Sequence, residues 1–184
     1  MSFYNIIKND KTQLLVPQHV TRWGVLTSFL ILASSFVAYK YKYYLLTGAS
    51  VCLFISSIVH WHKMTAFGIV KKLDVLFATI VLGLITFYYI DELKPEYKKI
   101  WYYTIALMVS VFVFNWVITY FQIMNMNSNP YIKCQQQYNY FSLEYTRPNT
   151  KPRELCYYYV TFIHLLFVHI IPAAVLMYCI IKSN

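Results

Sequence analysis

Apolar residues in this chain come in long unbroken runs separated by short clusters of charge. The runs cover residues 23–38, 43–60, 74–90, 101–121 and 156–181. None alternates with the period of two that a half-buried strand requires, and a continuous apolar run pairs its own backbone as a helix. Since roughly 20 apolar residues cross a hydrocarbon core, the pattern predicts five transmembrane helices. The last run is the longest and needs a tilt or a kink to fit. The expected fold is therefore all-α, a polytopic integral membrane bundle over residues 23–184. Ahead of it, residues 1–22 mix Phe3, Ile6, Ile7, Leu14 and Leu15 with Lys and Asp, the pattern of an interfacial arm.

The breaks between runs carry boundary chemistry. Arg22 and Trp23 mark a headgroup edge, where an indole keeps its ring in hydrocarbon and its N–H in contact with water. Tyr39, Lys40, Tyr41 and Lys42 form a very tight connection with snorkelling lysines. The polar stretch 122–155 is the only sizeable region outside the expected spans. No internal repeat is present. Counting basic residues by side places ten with the N-terminus and six opposite, which favours the N-terminus inside.

Composition agrees with a bilayer as solvent. Hydrophobic residues make up 59% of 184 and charged residues only 12%, about half the share of a soluble domain. The formal charge of +9 would suggest nucleic acid on a soluble chain. Here the basic residues are scattered through loops, where they match anionic headgroups, and no basic stripe interleaved with aromatics remains. Nucleic acid is therefore not expected as a partner. No CxxC, P-loop, Rossmann glycine pattern or GxSxG elbow occurs. Cys52 and Cys179 lie inside apolar runs and read as small core residues. Cys134 and Cys156 flank the polar stretch and would pair if it faces an oxidising compartment.

Against this background the ionisable groups at membrane depth stand out. Such groups are costly to desolvate, by roughly 2.5–3.5 kcal/mol on insertion scales, so they mark function by default. Topology brings most of them to one leaflet. The second span ends on the N-terminal side with Ser56 and His60, one turn apart on one face. Asp74 opens the third span on that same side, and the fifth span enters there too. His164 then lies roughly 12 Å, and His169 roughly 20 Å, below Cys156. His164 and His169 are separated by about 140° on an ideal α-helix. Pro172 leaves the Val168 carbonyl without its donor, and a π turn there would bring the two imidazoles to one face. Imidazole suits zinc: His60, His164 and His169 would be ligands, and Asp74 and Ser56 would position or activate the metal water. Such a site near headgroup depth suits hydrolysis of a lipid amide or ester.

The run Ser56-Ser57-Ile58-Val59-His60, then Asp74, then His164 and His169 in the last helix resembles, in that order, a known membrane hydrolase superfamily. It includes the alkaline ceramidases and the progestin/adiponectin receptors. Those proteins hold zinc with one histidine from an S-x-x-x-H helix and two from a C-terminal H-x-x-x-H helix, with an Asp between. The resemblance implies a zinc-dependent, ceramidase-like hydrolase. This chain departs in having five spans instead of seven, and in its H-x-x-x-x-H spacing. The S-x-x-x-H-W segment ahead of an Asp-initiated helix is also similar to multi-pass membrane proteins of large DNA viruses, a likeness that implies no activity.

Plainer readings stand beside these. His60 and His62, which bracket Trp61 at a membrane edge, would be interfacial residues; Asp74 would cap a helix; a lone His164 or His169, like Asn115, would hydrogen-bond between helices. Histidines on two helices would also ligate a haem. A non-enzymatic alternative is a structural subunit of a virion membrane or large membrane complex, docking partners through 122–155.

Overall fold

A computed structural model describes residues 18–62, 69–125 and 161–184. The expectations for the arm up to residue 17, for 126–155, for the Cys134–Cys156 pair and for the Asn115 side chain lie outside the described residues. Within them the chain is helical throughout, with no strand. Helix α1 is Gln18–Lys40 and α2 is Tyr44–His62. Helix α3, Ile69–Gly83, runs on through a π turn at Leu84–Tyr88 and a 3-10 turn at Ile90–Glu92. Helix α4 is Pro95–Asn125, and α5 is Thr161–Ser183 with a π turn at Leu165–Ile170.

All five expected helices are present, with ends that differ from the apolar boundaries. Helix α1 begins at Gln18 and takes in residues assigned to the arm, while α3 begins at Ile69, ahead of Asp74. Helix α4 starts earlier, on Pro95, whose missing N–H is an orphan donor in any first turn. Backbone pairing does not stop where side chains turn polar, so helices outrun their apolar cores. Three helices, His19–Lys40 of α1, Tyr44–His62 and Thr161–Ser183, are long and apolar enough to cross a membrane. Their outward side chains and those of their neighbours fit that solvent: Phe36, Phe87 and Tyr103 are 65%, 85% and 74% exposed.

The tight α1–α2 connection is a helix stop of defined geometry. Lys42 takes a left-handed φ of 67°, the Tyr43 N–H donates to Ala38 O at 2.9 Å, and the Lys42 N–H to Tyr39 O at 3.0 Å. That pair of bonds is the Schellman arrangement, and the buried Tyr43 and Ala38 supply its apolar contact. Reversal here lays α2 along α1. The order of packed neighbours is α3, α2, α1, α5, α4. Most of the apolar core, including Ala38, Tyr43, Ile85, Trp101 and Ile180, fills the end of the bundle near this turn. The opposite end holds most of the buried polar residues.

Candidate functional site

Helix α2 ends in four residues that face its neighbours: Ser56, Ser57, His60 and Trp61, all buried. They sit at one helical spacing, 56, 57, 60 and 61, so one face carries them all. Opposite stands Asp74, now well inside α3. It follows the first turn, so its carboxyl is not an N-cap. Ser56 Oγ donates to Asp74 Oδ1 at 3.3 Å, and the Ser57 hydroxyl lies beside the same carboxyl.

Helix α5 contributes the two remaining imidazoles. Its π turn carries an Ile171 N–H to Leu166 O bond, five residues back. Pro172, in the first turn of the helix that resumes there, has no N–H and would press on the Val168 carbonyl of a regular α-helix. Widening the helix relieves that conflict. It also places His164 and His169 together, ring centroids 5.3 Å apart. Two imidazoles sharing a zinc at Zn–N distances of about 2.0–2.1 Å stand at a comparable separation. Five residues on a π turn thus place this pair as four residues would on an α-helix.

His60, Asp74, His164 and His169 line one cavity of about 210 Å3 together with Lys71, and its other walls are mostly apolar, among them Leu53, Val168 and Leu176. The residues expected to converge do so, from three helices. His62 does not: it is exposed at the end of α2. Cys52 also departs from expectation, being exposed and not a core residue, because it falls on the outward face of α2; Cys179 is buried as expected. The donor types suit zinc. Among the described residues, however, no three His, Cys, Asp or Glu side chains are grouped so as to hold a metal ion.

What stands among the imidazoles is Trp61. Its ring is fully buried and lies 5.6, 5.4 and 5.9 Å from the rings of His60, His164 and His169. Its indole N–H has no hydrogen-bond partner among the described residues. The ring reaches this depth because Gly24 of α1 leaves room for it. A Cβ there would lie 2.1 Å from Trp61 Cδ2.

Helix α1 holds the site from behind with one face. Thr27 Oγ1 lies 3.1 Å from His169 Nδ1, and Ser28 Oγ lies 3.0 Å from Ser57 Oγ and 2.7 Å from Gly24 O. Gly24, Thr27 and Ser28 therefore touch the indole, an imidazole and a serine of the cluster. Sequence reasoning misses all three, although a signal exists: small and hydroxyl residues at i, i+3 and i+4 in an apolar helix mark a close helix contact. Comparison with protein-family models, with curated proteins and with solved structures finds no match to this chain.

Proposed function

We propose that this chain is a multi-pass membrane protein, with all five helices as spans, whose His/Asp cavity is a zinc-dependent site for hydrolysis of a lipid amide or ester. The observation that carries this reading is the convergence of His60, Asp74, His164 and His169, from three helices, on one cavity that Lys71 also lines and whose remaining walls are mostly apolar. Burying four ionisable groups together in apolar surroundings costs stability, and a site that uses them accounts for the cost. His60 and His164 would be metal ligands, and His169 a third ligand or a proton relay. Asp74, held by Ser56, would orient or deprotonate a water. Bound zinc would supply a water with a pKa of about 7 and polarise the substrate carbonyl. An endomembrane or a virion membrane fits as location.

One observation favours a second reading. The three imidazoles pack against Trp61, as they would in a structural subunit where they serve only to join helices. Metal content separates the two. The protein purified in mild detergent should hold close to one zinc per chain, and His60→Ala and His164→Ala should each abolish it while His62→Ala does not. Less than about 0.1 zinc per chain, or equal loss in all three variants, would overturn the zinc site.

A further inference from the structure

We infer that the deep half of the His/Asp cavity is an acyl pocket, entered sideways from the bilayer between α3 and α4 and floored by Trp101, which selects a lipid tail of about eight carbons. The reaction at its mouth rests on the lipid-hydrolase reading; the fit of the tail does not.

The cavity has a polar end and an apolar end. His60 lies in the last turn of α2, Lys71 and Asp74 early in α3, and His164 early in α5, all toward the N-terminal side. Leu82 late in α3, Trp101 early in α4 and Leu176 late in α5 line the other end, below Met108. The polar groups on this deeper wall are already spent. Ser34 donates to Ile31 O at 2.7 Å and Thr79 to Val75 O at 2.8 Å, each within its own helix. The Trp101 N–H donates to Thr86 Oγ1 at 3.0 Å. A space walled in this way favours hydrocarbon over water, which needs polar partners of its own.

Shape and access fit one tail. From Asp74 to Leu82 the wall runs about 12 Å along α3. At about 30 Å3 for a water-sized group, close to that of a methylene, 210 Å3 holds about seven of them. A second tail has no room there. Helices α3 and α4 are the two ends of the order of packed neighbours, yet both line this cavity. Among the described residues the five helices therefore form a C, open between α3 and α4. The Trp101–Thr86 bond ties that opening together at its deep end, so a tail slides in from the side and stops on the indole. The free acid that ester or amide hydrolysis releases would keep its carboxylate at the end that Lys71 lines.

The test uses the full chain in mild detergent and free fatty acids brominated on the last carbon, which quench an indole on contact. Trp101 is 1% exposed, so detergent tails do not reach it, and its emission is the difference between wild type and Trp101→Phe. ω-Bromooctanoic acid should quench that emission. ω-Bromobutanoic acid, too short to reach the floor, and ω-bromohexadecanoic acid, too long to fit, should not. Ala78→Phe, which fills the cavity between its two ends, should weaken octanoate binding at least about tenfold. Trp101→Ala removes the floor and should shift the preference, counted by native mass spectrometry, from octanoic to dodecanoic acid. Equal quenching by all three acids, quenching by none, octanoate binding unchanged in Ala78→Phe, or a wild-type preference in Trp101→Ala would overturn the inference. If Trp101→Ala does not fold, the quenching and Ala78→Phe decide. Zinc content and turnover separate the two readings. If zinc is bound and lipid esters are cleaved without regard to tail length, the acyl pocket fails and the hydrolase reading stands. If ω-bromooctanoic acid reaches Trp101 in a chain that binds no zinc, the pocket stands and the hydrolase reading fails.

Discussion

Trp61 and Trp101 are both fully buried, at opposite ends of the bundle, each close to a π turn, and the two ends treat them differently. Trp101 sits in the apolar core and donates its N–H to Thr86 Oγ1 at 3.0 Å, a residue of the π turn in α3. Trp61 sits among three imidazoles and donates to nothing among the described residues. At the first end the helix irregularity aims a hydroxyl at a donor and satisfies it. At the second it aims two histidines into a cavity. A formed hydrogen bond of roughly 1 kcal/mol therefore anchors the Trp101 indole, and none does so for Trp61 among the described residues. Functional sites are where that difference is usually found.

The contrast breaks first at Gly24. Gly24→Ala forces a Cβ into the Trp61 ring and should destabilise the protein by about 1–3 kcal/mol, the range for overpacking, read as a fall in thermal midpoint in detergent. Adding Trp61→Phe should recover part of the loss, and a Gly24→Ala protein as stable as wild type would deny the close approach. Next, the two indoles can be trimmed alike. Trp101→Phe and Trp61→Phe remove similar volumes, but only the first gives up a formed hydrogen bond. The loss should exceed that for Trp61→Phe by about 1 kcal/mol, and the reverse order would mean that Trp61 is the better-anchored ring. The smallest effect belongs to His62→Ala, which is exposed and outside the cavity and should shift stability by no more than about 0.5 kcal/mol.

The helices were legible because an unbroken apolar run leaves the backbone no other partner than itself. Their ends were not, since helical pairing starts at Gln18, ahead of the first apolar run, and at Ile69, ahead of the Lys71–Lys72 pair that interrupts the apolar pattern. The π turn in α5 could be anticipated from Pro172 and the five-residue histidine spacing, two features that only a widened helix reconciles. The one in α3 could not: Leu84–Tyr88 contains neither a proline nor a pair that must meet, and its purpose appears only when Trp101 is seen opposite Thr86. Asp74 looked like the start of a helix because the apolar run begins there. The residues before it are helical as well, which turns a capping carboxylate into one facing Ser56. The part played by α1 was hidden for a different reason. Gly24, Thr27 and Ser28 are ordinary residues of an apolar helix, and their meaning comes from the Trp61 ring, His169 and Ser57 that they touch.

The π turn at Leu165–Ile170 also bears on how chain length relates to placement in this molecule. Such a turn is what remains when an α-helix absorbs one surplus residue locally, without passing the rotation on to the next turns. The last helix therefore contains a register buffer between its two histidines. The helix on either side of it keeps its face toward α1 and α4 despite that one extra residue, so the spacing of a histidine pair in sequence is a poor guide to its spacing in space.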